Sequence, residues 1–274
     1  MKVDHEQNQT SRPLNVVVIT SAGMGIDLAG KLALLPEIRS LAVITTRVMP
    51  GSRTLWQKMC GIYQVDGFGG VLRSAASRLR PVAGSTDLAG RVAQRCPTAR
   101  HLHCDDLHAP ESIALLTSLA PDLGVVFAAY RLKPSVFTIP RLGCLNLHLG
   151  LAPEFRGSSP AFYEMLEGVP TVGVTIHRIN EGLDTGPIIK QESFPIDLAP
   201  REDPIAYLCR YQREILIPNG IRMMADAVRA AASGSLVEQP QPPAVRPARR
   251  RATYQLKRAS SGAGLRGDGS ERRD

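Results

Sequence analysis

One stretch of seven residues, Leu14-Asn15-Val16-Val17-Val18-Ile19-Thr20, constrains this chain more than any other feature. It shows almost no polar alternation, so both of its faces must be covered. Strands of that kind belong to parallel sheets with helices packed on each side. The residues from Ser21 to Thr46 fit the same unit. Ser21-Ala22-Gly23-Met24-Gly25 is a small-residue turn, a helical pattern runs from Ile26 to Leu35, and Pro36 is expected to stop it. Leu41-Ala42-Val43-Ile44-Thr45-Thr46 then reads as a second buried strand. Strand, turn, helix and strand make a βαβ unit with a right-handed crossover.

The glycine turn invites two readings. It could present helix N–H groups to a phosphate, or it could be a tight link between strand and helix. It is neither a complete G-x-G-x-x-G, since position 28 is Leu, nor a P-loop.

The alternation resumes at Arg100. His101-Leu102-His103-Cys104 is a predicted strand, Pro110 opens a helix, and Pro121–Tyr130 contains the next buried strand. A short helix is expected around Pro134–Phe137, and Gly143–His148 is another strand. Beyond a loop, a helix is placed at Pro160–Glu167, and strands at Val172–His177 and Pro187–Phe194 suggest a hairpin. A long helix from about Pro204 to Ala232, interrupted at Pro218-Asn219-Gly220, closes the pattern. The fold class is α/β, a Rossmann-like, mostly parallel sheet flanked by helices.

Charge and composition set the outer limits. The chain of 274 residues carries a net charge of +8, but nine Lys/Arg against three Asp/Glu lie between Arg246 and Asp274. That leaves only +2 for the remainder. The expected organisation is a polar lead at 1–13, a catalytic domain at 14–233 with a helical insert at about 50–97, and a disordered Pro/Arg-rich tail at 234–274. Leu55–Met59 and Val71–Leu79 are the helical segments of the insert, read as surface helices packed on the sheet or as a substrate- or membrane-recognising device. No apolar run is long enough to span a bilayer, so no membrane association is expected. Five scattered cysteines without a C-x-x-C pair point to reduced thiols and a cytoplasmic protein. His101 and His103 fall on one face of their strand and Cys104 on the other, so no metal site is expected there or elsewhere.

Ligands of open α/β sheets bind beyond the carboxyl ends of the strands. Asn146 and His148 fall at such an end, two residues apart and therefore on one face. Asp184 lies in the hairpin loop that could fold back over them. Singly, each has an ordinary structural explanation: a turn cap, a strand-end histidine, a loop aspartate. Jointly they suit attack of an amine on a carbonyl. An amide N–H and an imidazole can stabilise the developing oxyanion, and a carboxylate can set the imidazole's state and take up a proton. No G-x-S-x-G elbow is present, which favours direct transfer over an acyl-enzyme.

Gly143-Cys144-Leu145-Asn146-Leu147-His148, then Pro153, Arg156-Gly157 and Pro160, then Gly173–His177 and Glu181-Gly182-Leu183-Asp184-Thr185-Gly186-Pro187, together resemble the folate-dependent formyltransferases. The likeness is specific from about Pro121 to Phe194. It implies that 10-formyltetrahydrofolate is the formyl donor, with no metal. It further implies that Asn146 and His148 stabilise the oxyanion while Asp184 assists proton removal. By the same resemblance, the donor pocket would be lined by Phe127, Ala129, Tyr130 and Leu132, by Leu151, Pro153, Arg156 and Gly157, and by Asn180, Glu181, Gly182 and Leu183.

The sequence departs from the family pattern at His148-Leu149-Gly150-Leu151-Ala152-Pro153, where a serine and a leucine are replaced by Gly150 and Ala152. Gly25-Ile26-Asp27 stands where ribonucleotide transformylases carry Gly-Ser-Asn, and no segment for a C-terminal β-barrel is evident. The expected acceptor is accordingly the primary amine of a small molecule, with an amino sugar nucleotide as one example. Methionyl-tRNA or glycinamide ribonucleotide formylation, 10-formyltetrahydrofolate hydrolysis, and a non-catalytic Rossmann-like module with a nucleic-acid-binding tail are the alternatives. The sequence leaves the oligomeric state open.

Overall fold

The computed structural model describes residues 12–46, 87–157, 161–202 and 204–243. Residues 1–11 of the polar lead, both helical segments read between 50 and 86, the expected start of a helix at Pro160 and the Arg-rich tail beyond 243 lie outside the described residues.

Seven strands form one sheet in the order β3-β2-β1-β4-β5-β6-β7. These are Leu14–Thr20 (β1), Ile38–Thr46 (β2), Arg100–Cys104 (β3), Leu123–Val126 (β4), Cys144–His148 (β5), Thr171–Arg178 (β6) and Ile188–Pro195 (β7). The first five in spatial order run parallel, while β6 is antiparallel to both β5 and β7. The sheet is thus mostly parallel with an antiparallel hairpin at one edge, as the sequence pattern requires.

β1 shows why its β-branched run matters. Leu14, Val16 and Val18 pack into the larger core cluster, which includes Ile26, Leu28 and Leu32 of helix α1 (Gly23–Leu32) and Met224 and Val228 of the last helix. Val17 and Ile19 point into a second cluster with Leu107, Leu116 and Val136. Alternate side chains feed opposite faces, so a polar residue at either parity would be buried.

α1 begins three residues earlier than the pattern suggested and ends three earlier, at Leu32. The glycine turn is therefore its first helical turn. Gly25 sits against β1 so closely that a Cβ there would stand 2.2 Å from Thr20 Oγ1. At the other end Pro36 has no N–H to give the carbonyl of Leu32, and it disfavours helical geometry at Leu35. The chain closes instead with short-range bonds from Leu34 to Lys31 and from Leu35 to Leu32.

The predicted strand at Pro121–Tyr130 is shorter in the structure, ending at Val126; Phe127–Lys133 leaves the sheet as a loop over its carboxyl edge. α2 (Leu88–Arg95) and α3 (Pro110–Ser118) connect the strands, and α4 occupies Pro134–Phe137 as expected. α5 is confined to Phe162–Leu166.

The long C-terminal helix is interrupted, but not where Pro218-Asn219-Gly220 suggested. α6 (Pro204–Tyr211) passes through a π-helical turn, Gln212–Leu216, into α7 (Ile217–Ala232). In that turn Ile217 N–H bonds the carbonyl of Gln212, five residues back. Pro218 lacks an N–H and its ring would press on the carbonyl of Glu214, so the strain is absorbed one turn before the proline. Gly220 continues the helix and serves a different end. A Cβ on it would lie 2.9 Å from Leu147 Cδ2, so the glycine lets α7 press onto β5 beside the site.

Candidate active site

β5 delivers the first two residues. Asn146 and His148 sit at its carboxyl end, separated by Leu147, which points to the opposite face and into the core. The antiparallel neighbour β6 places His177 directly across from Asn146. Cross-strand partners share a face, and Asn146 Nδ2 donates to His177 Nε2 at 3.0 Å. His177 was not singled out from the sequence. Its signal was faint: a histidine ending an alternating strand, recognisable only once the pairing register is known.

Asp184 enters from the loop between β6 and β7. Its backbone has φ of 54°, the left-handed region that a side chain rarely adopts. The carboxylate gathers the other three groups. Oδ1 lies 3.4 Å from Asn146 Nδ2 and 3.4 Å from His177 Nε2, while Oδ2 lies 3.7 Å from His148 Nδ1. Oδ2 also accepts the N–H of Gly157 at 2.9 Å. The expected trio is brought together, and His177 makes it a quartet.

The ring nitrogens that face away from Asp184 are fixed by backbone. His148 Nε2 bonds the carbonyl of Phe155 at 2.7 Å, and His177 Nδ1 bonds that of Arg178 at 2.9 Å. Because a carbonyl can only accept, both of these nitrogens carry a hydrogen. In the neutral rings, His177 Nε2 is then an acceptor for Asn146.

The Asp184 side chain is 11% exposed. Burial alone would push its carboxyl up. The imidazoles of His148 and His177 and the Gly157 N–H outweigh that and hold it at about 2. Asp184 is thus an anion at neutral pH in a largely dry setting, where its field is strong.

A pocket opens beside this cluster. Asn146, His177 and Asp184 form its polar wall. Among the residues expected around a donor, Ala129, Tyr130, Leu132, Asn180, Gly182 and Leu183 line it too. The remaining expected ones lie elsewhere. Phe127 is buried in the larger core cluster. Leu151 packs on β6, where a Cβ at Gly173 would meet it at 2.1 Å. Arg156 Nε turns back to the carbonyl of Pro153 at 3.0 Å. Gly157 acts on Asp184 through its N–H, and the Glu181 carbonyl is held by Arg131. His148 is itself not on the pocket wall; it stands behind Asp184, with 8% of its side chain exposed.

Local structure maintains these positions. Asn180 Oδ1 accepts from Gly182 N at 3.1 Å and from Thr185 Oγ1 at 2.7 Å, an Asx-type arrangement that shapes the Asp184 loop. The loop after His148 is fastened from below. Buried Thr175 donates to the Gly150 carbonyl at 2.6 Å and accepts from Ala152 N at 3.2 Å. Gln191 bonds both Thr175 Oγ1, at 2.8 Å, and the Ala152 carbonyl, at 2.7 Å. At the far edge of the sheet, His101 and His103 both reach Thr45 Oγ1, at 2.9 and 3.0 Å. Among the described residues no group of three or more His, Cys, Asp or Glu is arranged to hold a metal ion.

The fold and the polar quartet at the strand ends define an α/β enzyme domain. Residues 82–216 match the family described as formyl transferase. A methionyl-tRNA formyltransferase from Aromatoleum aromaticum is 36% identical over 137 residues, covering 50% of this chain and 41% of the relative. This chain therefore spans about two fifths of that relative's length. Among solved structures, glycinamide ribonucleotide transformylase 1 from Symbiobacterium toebii has the same fold, with a TM-score of 0.56 at 22% identity over 86% of this chain and 96% of that one. A sugar 3N-formyl transferase solved in the presence of dTDP and 5-N-formyl-THF aligns with a TM-score of 0.52 at 14% identity, over 84% of this chain and 67% of that one.

Proposed function

We propose that this protein transfers the formyl group of 10-formyltetrahydrofolate to a primary amine. The observation that carries the reading is the convergence of Asn146, His148 and His177 on the buried Asp184 carboxylate beside an open pocket. The pocket suits a flat heteroaromatic donor. Its walls combine apolar side chains (Ala129, Leu132, Leu183) with polar groups at Asn146, Asn180 and Asp184.

The donor supplies an activated formyl carbon. Attack by the amine nitrogen forms the new C–N bond, the bond to the folate nitrogen breaks, and that nitrogen takes up a proton. The chain's residues manage charge and protons. The Asn146 amide donates at 3.0 Å to His177 and at a marginal 3.4 Å to Asp184, so its second N–H is the one to turn toward the formyl oxygen. A preorganised donor of this kind is worth about 3 kcal/mol in the transition state. Asp184 stabilises whichever imidazole receives the amine proton. With its carboxyl held near 2, it acts mainly as a fixed anion and only in passing as a proton carrier.

For the acceptor, the methionyl-tRNA formyltransferase named above favours the amino group of methionyl-tRNA. A small-molecule amine such as an amino sugar nucleotide is the competing reading. One experiment separates them. Purified protein and 10-formyltetrahydrofolate are incubated with methionyl-tRNA, amino sugar nucleotides and glycinamide ribonucleotide in turn, with tetrahydrofolate release followed. Release that needs one acceptor identifies it. Release without any amine would point to hydrolysis, and no release with any of them would sink formyl transfer.

A further inference from the structure

We propose that Gln241 is a positioning residue for Asp184, carried by a strap that the chain lays across the site after its last helix. This rests on the formyl-transfer reading for its catalytic consequence, though not for its geometry. The composition after Gly234 reads as the beginning of a disordered tail, yet residues 234–243 follow a defined path along the hairpin edge. Three fastenings hold it. The Glu238 carboxylate pairs with Arg178, accepting from Nε at 2.7 Å. Gln239 and Ile188 exchange backbone hydrogen bonds at 2.7 and 2.8 Å, a one-residue extension of the sheet beyond β7. Gln241 Nε2 then donates to two carbonyls at once, Asp184 at 2.9 Å and Gly186 at 2.7 Å.

The last contact matters because of where it falls. Asp184 has a left-handed backbone, which aspartate tolerates better than most residues with a Cβ but at some cost, so a contact that braces the following peptide helps keep the loop in place. Gly186 is already pressed against β6, where a Cβ would stand 1.8 Å from the Arg178 carbonyl. Gln241 bridges the carbonyls on either side of Thr185, fixing the peptide that follows Asp184 and hence the direction of its carboxylate. The Gln241 –NH2 has two hydrogens, one for each carbonyl, and the amide oxygen of Gln241 has no partner among the described residues. The side chain is therefore oriented for the loop. Through it, a segment far along the chain sets the distance from Asp184 to His148 and His177.

The test uses the full-length chain with Gln241→Ala and Gln241→Glu, and Val237→Ala as control, since Val237 is 66% exposed on the same segment. Three readouts are taken: kcat and KM for the donor, the acid limb of the pH–rate profile, and amide exchange across residues 180–187. Both Gln241 variants should lose about tenfold in kcat, the scale of a small misplacement of a reacting group, with KM little changed. Exchange in the loop should accelerate about tenfold as well, for loss of a hydrogen-bonded brace. The acid limb should move to higher pH, because a carboxylate drifting from its imidazoles titrates closer to its ordinary range. Val237→Ala should match wild type throughout. Exchange at the wild-type rate in both variants would overturn the strap, whatever the turnover. Faster exchange with unaltered kcat and pH profile would overturn the positioning role. A wild-type protein that turns over no amine would sink formyl transfer separately, with exchange still deciding whether Gln241 braces the loop.

Discussion

Gly150 passes so close to His148 that a Cβ on it would stand 2.5 Å from the imidazole Nε2 and 2.4 Å from the Phe155 carbonyl that this nitrogen bonds. The hydrogen bond fixing the ring therefore depends on a position that has no side chain. Where the family pattern has serine, this chain has a glycine that allows the loop to fold over the histidine.

Gly150→Ala should displace the ring or the Phe155 carbonyl. A destabilisation of about 1–3 kcal/mol is expected from overpacking, together with a fall of at least about tenfold in formyl transfer from the misplaced imidazole. Chemical denaturation and steady-state kinetics on the same preparation check both.

Asp184→Asn removes the charge on which the quartet converges. Formyl transfer should fall by roughly 10²-fold or more, the range for loss of a positioned acid–base group. Donor affinity, set by the rest of the pocket, should change little. Turnover by the asparagine variant at the wild-type rate would remove Asp184 from the mechanism.

The same carboxylate makes stability depend on pH. Its folded-state value of about 2 lies below the ordinary value of 3.8. It therefore contributes stability above pH 4 that is lost as the pH falls from about 4 toward 2, amounting to about 2 kcal/mol. Wild type and Asp184→Asn, unfolded in urea at pH 6 and again near pH 2.5, should differ less at the lower pH. A constant difference would show that the histidines do not hold the carboxyl down.

His177→Ala takes away the acceptor of Asn146 and one of the imidazoles beside Asp184. A loss of about 10–100-fold in kcat is expected from disordering an oxyanion donor. The acid limb of the pH–rate profile should shift upward, because one influence lowering the Asp184 carboxyl is gone. An unshifted limb would confine His177 to packing.

Thr175 is fully buried and bonds Gly150, Ala152 and Gln191. Thr175→Val keeps the shape but strands those polar groups, at a cost of about 2–3 kcal/mol. The slackened loop should reduce formyl transfer as well. Thermal unfolding and kinetics together distinguish this from a purely local loss of stability.

The strands were legible because their side-chain pattern is local. Leu14–Thr20 and Gly143–His148 announce their burial residue by residue, and the short helix at Pro134–Phe137 is marked by its own proline. Errors gathered where a distant or indirect constraint acts. The helix after β1 stops at Leu32 because a proline four residues on cannot donate, and the C-terminal helix deforms ahead of Pro218 instead of at it. Local pattern likewise did not indicate that the side chains of Phe127, Leu151 and Arg156 pack in the core, against β6 and at the Pro153 carbonyl.

By itself the sequence determined the fold class, the placement of Asn146 and His148 at a strand's carboxyl end, and the choice of Asp184 as their partner. The first two rest on a periodicity of two along a strand and on glycine and proline punctuation; the third rests on the residue types that carbonyl chemistry needs together with the resemblance to the folate-dependent formyltransferases. Only the tertiary structure decided that His177 joins them, that His148 stands behind Asp184 instead of on the pocket wall, and that Gln241 reaches back to the loop. Each of these depends on a pairing register or a contact between segments distant in the chain. Local pattern carries no record of such contacts, because their energy exists only once the sheet has formed.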